Sequence, residues 1–144
     1  MISIARSTLI NRPIEEVFAF VNAPEKIPEW QSSAVSAELI PEGTPRVGST
    51  LLIVRKFMGR NVDNHHEITI YEPPHRACNS QSIGPMKAEG CLLFEESEVG
   101  DTRVTITFEA DPRGFIKLVA GFIGRQLSNQ LENDLKTLKR LLET

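Results

Sequence analysis

Long apolar runs are missing from this chain: no stretch approaches the roughly 18–20 residues of a membrane span. Its start, Met1-Ile2-Ser3-Ile4-Ala5-Arg6, lacks the basic-then-apolar plan of a signal peptide. A basic excess is missing too. The net charge is −3, so the chain lacks the footprint of a general phosphate-backbone binder, and no nucleic-acid partner is expected. Cysteine is scarce, and two residues cannot build a disulfide scaffold, which makes a reducing cytoplasm the expected compartment. No G-x-S-x-G elbow, phosphate loop, G-x-G-x-x-G or zinc spacing occurs, so the common hydrolase, nucleotide and zinc-ribbon readings fall away. No cofactor is expected. Aromatic residues make up only 6% of the chain, which suits a core built mainly of aliphatic side chains.

What remains is a chain of 144 residues, 40% of them apolar. That is enough for one domain, residues 1–144, with a substantial core. Gly and Pro are scattered as punctuation between short elements. Residues 2–10 read as a strand, ended by Asn11-Arg12-Pro13. Pro13 suits the first turn of a short helix, where Glu15 and Glu16 favour the positive end. A second short turn follows over 24–30. Six strands are then predicted over 33–40, 50–57, 61–71, 76–83, 86–95 and 102–110, with reversals at Gly59-Arg60 and Gly84-Pro85. The period finally changes from 2 to 3.6. Asp111-Pro112 opens a helix of about 28 residues, roughly 40 Å long, and its apolar stripe runs from Phe115 through Phe122 and Leu127 to Leu142. This order predicts an α+β fold: a curved antiparallel sheet of about seven strands around one long C-terminal helix, with two short helices after the first strand.

Four stretches carry a family resemblance. They are Ile10-Asn11-Arg12-Pro13-Ile14-Glu15-Glu16-Val17-Phe18-Ala19-Phe20-Val21, Pro24-Glu25-Lys26-Ile27-Pro28-Glu29-Trp30, Ile70-Tyr71-Glu72-Pro73-Pro74-His75-Arg76 and Thr102-Arg103-Val104-Thr105-Ile106-Thr107-Phe108-Glu109. With this element order they resemble the START-like (SRPBCC) superfamily and its helix-grip fold, and more narrowly the polyketide cyclase/dehydrase and lipid-transport group. The resemblance implies a largely apolar cavity between helix and sheet that takes lipids, sterols or polyketides. Members include carriers, cyclases and regulators of partner proteins, so the fold does not choose among them.

Parity along the strands nominates the residues that line such a cavity. His66 shares a face with Val62, Asn64, Ile68 and Ile70. If that face lines the cavity, His66 is a neutral-range acid/base beside an apolar ligand, and Asn64 orients a carbonyl or hydroxyl. The structural alternative is a buried histidine with one satisfied hydrogen bond. Arg55 shares parity with Leu51, Ile53 and Phe57. It either meets a carboxylate inside or reaches the mouth and snorkels into water. Asn79 and Gln81 share parity with Ala77 and Ile83, and polar groups spaced along an apolar wall are what a selective pocket needs. Trp30, by the family's cavity entrance, is either a lid or a core anchor. Phe108, Phe115, Val119 and Phe122 complete the predicted lining.

The opposite face of the same strand carries Asp63, His65 and Glu67, read as a solvated surface and not a metal site. Cys78 and Cys91 lie symmetrically about the turn between Gly84 and Pro85, so they pair across two strands. A disulfide fits that pairing, and so do two packed thiols, which are the expectation in a cytosol. Gly114, Gly121 and Gly124 mark the long helix as a closely packed or ligand-admitting wall. The leading functional expectation is non-covalent binding or transport of a small hydrophobic molecule. The alternatives are a polyketide cyclase/dehydratase-like enzyme using His66, and a protein-interaction regulator with a vestigial cavity. An exposed edge strand offers a route to a homodimer.

Overall fold

The computed structural model describes residues 2–83, 86–111 and 120–144. The chain runs β1 (Ile2–Ile10), α1 (Ile14–Val21), a 3₁₀ turn (Pro24–Lys26), α2 (Ile27–Trp30), β2 (Ala34–Ile40), β3 (Thr50–Phe57), β4 (Arg60–Glu72), β5 (Arg76–Ile83), β6 (Met86–Glu96), β7 (Thr102–Ala110) and α3 (Ala120–Glu143). The strands form a single antiparallel sheet in the order β1-β7-β6-β5-β4-β3-β2. The first two strands are therefore the two edges, and α1 and α2 span the distance between them.

Local chemistry explains the boundaries. Pro13 stands before α1 with an extended backbone, and the Asn22 side-chain amide donates to the Phe18 carbonyl to close that helix. The β3–β4 reversal is a two-residue turn on Met58 (φ 51°) and Gly59 (φ 80°), flanked by the pair Phe57 and Arg60. Positive φ at both central residues matches the twist of the flanking strands. The predicted reversal at Gly59-Arg60 is thus shifted by one residue.

Strand β4 holds one irregularity that parity cannot foresee. Ile68 pairs with Asn79 but Ile70 pairs with Cys78, so Thr69 is an extra residue. A bulge of this kind reverses the facing of everything beyond it. Ile70 therefore leaves the face of Asn64, His66 and Ile68, against expectation, and Tyr71 turns inward to pack on Phe18 with ring centroids 5.6 Å apart.

Cys78 and Cys91 are directly opposed, as their symmetric spacing predicts. They are not the packed thiols expected: the sulfurs form a disulfide across β5 and β6, with Cα atoms 4.1 Å apart. Side chains of a directly opposed pair share one face and have no other partner so near. Among the described residues, no helix is long and apolar enough to cross a membrane.

The main core lies at one end of the sheet's inner face. Phe94, Val104 and Ile106 from the strands meet Ile14, Val17, Phe18 and Val21 of α1, Trp30 of α2, and Leu135, Leu138 and Leu142 of α3. A smaller cluster joins Ile2, Ile4, Ala88, Phe108 and Ala110, with Ile123, Leu127 and Leu131 packed against it. The helical stripe thus runs 123, 127, 131, 135, 138, 142, and Phe122 falls one residue off it. Leu138 is wholly enclosed, whereas Phe122 is 61% exposed. Leu138→Ala should therefore lower unfolding free energy by about 2–5 kcal/mol in urea titrations, and Phe122→Ala by less than about 0.5 kcal/mol. Equal losses would contradict this helix phase.

Candidate functional site

Cross-strand pairing sets the inward side chains in ranks across the sheet. One rank reads Leu51, His66, Gln81, Ala88, Ala110, Ile2. The next reads Ile68, Asn79, Gly90, Phe108, Ile4. Both lie beyond the main core, toward the end bearing the β3–β4 turn, and they combine polar with very small residues. Leu51, Ile68, Asn79 and Gln81 stay half-buried although they face inward. A groove of about 320 Å³ opens onto the same end between β1 and α3, lined by Ile2, Ser3, Ile4, Arg6, Gly121, Gly124 and Ser128. A Cβ at Gly124 would lie 3.6 Å from Ile2, while one at Gly121 would meet nothing. The first glycine is a packing contact and the second borders open space.

A connected polar network crosses this wall. Arg55 turns inward; its Nε donates to Asn64 Oδ1 at 2.8 Å and its Nη1 to Ser33 Oγ at 2.9 Å. His66 Nε2 lies 2.7 Å from the same Asn64 oxygen. The Asn64 amide nitrogen points at the Ser82 carbonyl (3.4 Å) and Gln81 Oε1 (3.5 Å). From α3, Gln130 Nε2 donates to Ser33 Oγ at 2.8 Å, and Asp134 accepts from the Ser32 amide at 3.0 Å. So the carboxylate that an inward arginine calls for is supplied electrostatically by Asp134. Burial lowers the Arg55 pKa to about 10, and the field of Asp134 opposes that shift; the guanidinium stays charged at neutral pH. Burial also raises the Asp134 carboxyl above its usual range, against its Ser32 hydrogen bonds and the pull of Arg55.

His66 is not the neutral-range acid/base its parity suggested. Burial, then the positive charge of Arg55, then His65, lower its pKa to about 3. At neutral pH the ring carries no charge, so it serves as a hydrogen-bonding group and not as a proton donor of useful strength.

Gly90 accounts for how Asn79 and Gln81 lie on the wall. A Cβ there would come within 2.8 Å of Gln81 Nε2 and 3.2 Å of Asn79 Oδ1, so both amides rest on the bare backbone. Asn79 Oδ1 is buried with no hydrogen-bond partner.

The predicted residues are thus partly gathered and partly dispersed. Arg55, Asn64, His66, Asn79 and Gln81 come together on β3, β4 and β5, and Phe108 joins the same half of the sheet. Trp30 does not: it is 2% exposed inside the main core, because it ends α2 where that helix turns into the packed end. Phe122 faces outward for the phase reason given above. Phe115 and Val119 lie outside the described residues, as does Gly114. Asp63, His65 and Glu67 are exposed on the outer face, and among the described residues no three His, Cys, Asp or Glu side chains are grouped to hold a metal ion. Sequence reasoning missed Ser33, Gln130 and Asp134. Only Asp134 left a signal. It sits three residues after Leu131 and four before Leu138, a charged residue in an apolar stripe.

Comparison with known proteins agrees with this architecture. A sequence profile described as polyketide cyclase / dehydrase and lipid transport matches residues 1–143. Among solved structures, a START superfamily protein from Mycobacterium smegmatis superposes with a TM-score of 0.79 at 12% identity, covering 98% of this chain and 97% of that one. A conserved protein from Geobacillus kaustophilus gives 0.78 at 18% identity, covering 97% and 94%. DynU16, a putative protein in the dynemicin biosynthetic locus, gives 0.75 at 18% identity. It covers all of this chain, which spans 48% of that longer protein. At these identities the likeness is one of fold. No curated protein matches.

The depressed histidine has a consequence for stability. Between pH 6.5 and about 3, an unfolded chain binds a proton at His66 that the folded protein does not. Acidification through that window therefore costs stability, by up to about 1.4 kcal/mol per pH unit from this ring. Asp134, shifted upward, works in the opposite sense and does so in any His66 variant that keeps it. In urea titrations from pH 6 to 4, His66→Gln should lose stability less steeply than the parent, by roughly 1 kcal/mol per pH unit. Parallel pH profiles would mean the ring is solvated.

Proposed function

The chain belongs to the polyketide cyclase/dehydrase and lipid-transport family, and on that basis we propose that it binds a small, mainly apolar molecule non-covalently between the inner face of the sheet and α3. The observation that carries this reading is the composition of the wall beyond the main core. There Ala88, Gly90 and Ala110 stand in place of large side chains, and Arg55, Asn64, His66, Asn79 and Gln81 supply hydrogen-bonding groups. A wall of this composition takes the apolar body of a ligand on small side chains and fixes its polar end at a few points. Binding is favoured over catalysis by the same histidine. A ring whose pKa is near 3 gives neither a ready acid nor a strong base at neutral pH, and no second titratable group hydrogen-bonds to it among the described residues.

The reading predicts that protein purified without detergent carries one apolar molecule per chain in native mass spectra. After delipidation, alkyl or fused-ring probes at about 100 times Kd should stabilise it by about 2.7 kcal/mol, seen as a rise in Tm. Gly90→Val pushes side-chain atoms into the place of Gln81 and Asn79 and should weaken such probes about 10-fold or more while the protein still folds. A chain that co-purifies empty and is stabilised by no member of such a series would sink the proposal.

A further inference from the structure

We propose that the polar end of the ligand is a neutral hydroxyl group, which donates its proton to Nδ1 of His66, and that a carboxylate is not the preferred end group. This inference rests on the ligand-binding reading of the same site and makes it specific.

The argument is one of donors and acceptors. An arginine Nε–H can only donate, so the Asn64 atom it meets at 2.8 Å is the carbonyl oxygen. His66 Nε2 lies 2.7 Å from that same oxygen. An amide carbonyl oxygen cannot donate to it, so Nε2 must carry the ring proton. The Asn64 amide nitrogen, aimed at the Ser82 carbonyl and Gln81 Oε1, agrees with this orientation. A neutral imidazole with its proton on Nε2 has a bare lone pair on Nδ1. Among the described residues nothing donates to that lone pair. Arg55 thus selects the tautomer of His66 through Asn64, without touching the ring itself.

Asn79 Oδ1, in the adjoining rank beside Gly90, is also unpartnered but is enclosed by the protein and offers no surface to a ligand. The bare Nδ1 of His66 calls for a ligand that brings a proton, which a hydroxyl does and a carboxylate, ketone or ether does not. Charge points the same way. The one cation of the network, Arg55, already lies in the field of Asp134 and spends its Nε and Nη1 on Asn64 and Ser33. A carboxylate seated at His66 would add a negative charge beside the Nδ1 lone pair with the network's own cation already engaged, and the other inward cation, Arg6, stands across the sheet on β1.

Four probes of one shape test this on the intact, delipidated chain at pH 7: naphthalene, 2-naphthol, 2-methoxynaphthalene and 2-naphthoate, with Kd measured by calorimetry. The expected result is that 2-naphthol binds about 10-fold or more tightly than the ether, which keeps the oxygen and loses only the proton, and more tightly than the carboxylate. The ¹⁵N resonance of His66 Nδ1 should move on addition of 2-naphthol and not of the ether. His66→Phe should bring 2-naphthol down to the ether's affinity. Should that variant fail to fold, the comparison of naphthol with ether in the parent protein stands alone. Equal binding of naphthol and ether, or tighter binding of naphthoate, overturns the inference while leaving the ligand-binding reading intact. Binding of none of the four overturns both.

Discussion

A guanidinium placed under the inner face of a sheet must be given acceptors and a counter-charge, and that demand organises this molecule's polar interior. Arg55 draws Ser33 from the approach to β2, Asn64 from β4 and the field of Asp134 from α3 toward one point. Three elements far apart in sequence are tied together by one side chain. The cost of removing the charge from water is offset only because each partner is itself held: Ser33 by Gln130, Asn64 by the Ser82 carbonyl, Asp134 by the Ser32 amide. An interior of this kind is ordered as a unit, and loss of any one partner leaves another polar atom unserved.

The sheet divides its labour along its length. At one end, large aliphatic and aromatic side chains from α1, β6, β7 and the last turns of α3 close on one another. At the other, alanine, glycine and amides replace them in register, strand by strand. Because the packed end carries α1, α2 and most of the enclosed side chains, the open end is free to hold residues that stability alone would not select. Buried amides with spare hydrogen-bonding capacity are poor core material. Their concentration at one end separates the part of the fold that holds it together from the part that is available to a ligand.

Much of this was legible in the chain. The alternation of Val104, Ile106 and Phe108, the symmetric placing of Cys78 and Cys91 about a turn, and the leucine spacing of the last helix are local patterns, and each places its element within a residue or two. Parity then put Arg55, Asn64, His66, Asn79 and Gln81 on one face, because all five stand on regular stretches of strand. What escaped depended on irregularity or on distance. Thr69 gives no sign in the sequence that it will bulge, so Ile70 was assigned to the wrong side. Phe122 lies at the margin of its stripe, where one residue of phase decides between core and solvent. The oxidation of the cysteine pair depends on surroundings that composition does not encode. Histidine chemistry was the subtlest loss: strand parity located His66, but its pKa follows from burial and from a cation on the neighbouring strand, Arg55, which only the folded arrangement brings near.

The position of β1 at the sheet's edge bears on how the chain reaches this structure. That strand pairs with β7 alone, so Ile2 finds its partner at Ala110 and Ile10 at Thr102. During synthesis it emerges first and must wait for roughly a hundred residues before any ladder can accept it, while the hairpins from β2 to β7 can pair with near neighbours as they appear. Such a long loop closure is entropically late. The groove between β1 and α3 is bounded on both sides by the elements that join last, so it marks the seam along which the fold is completed.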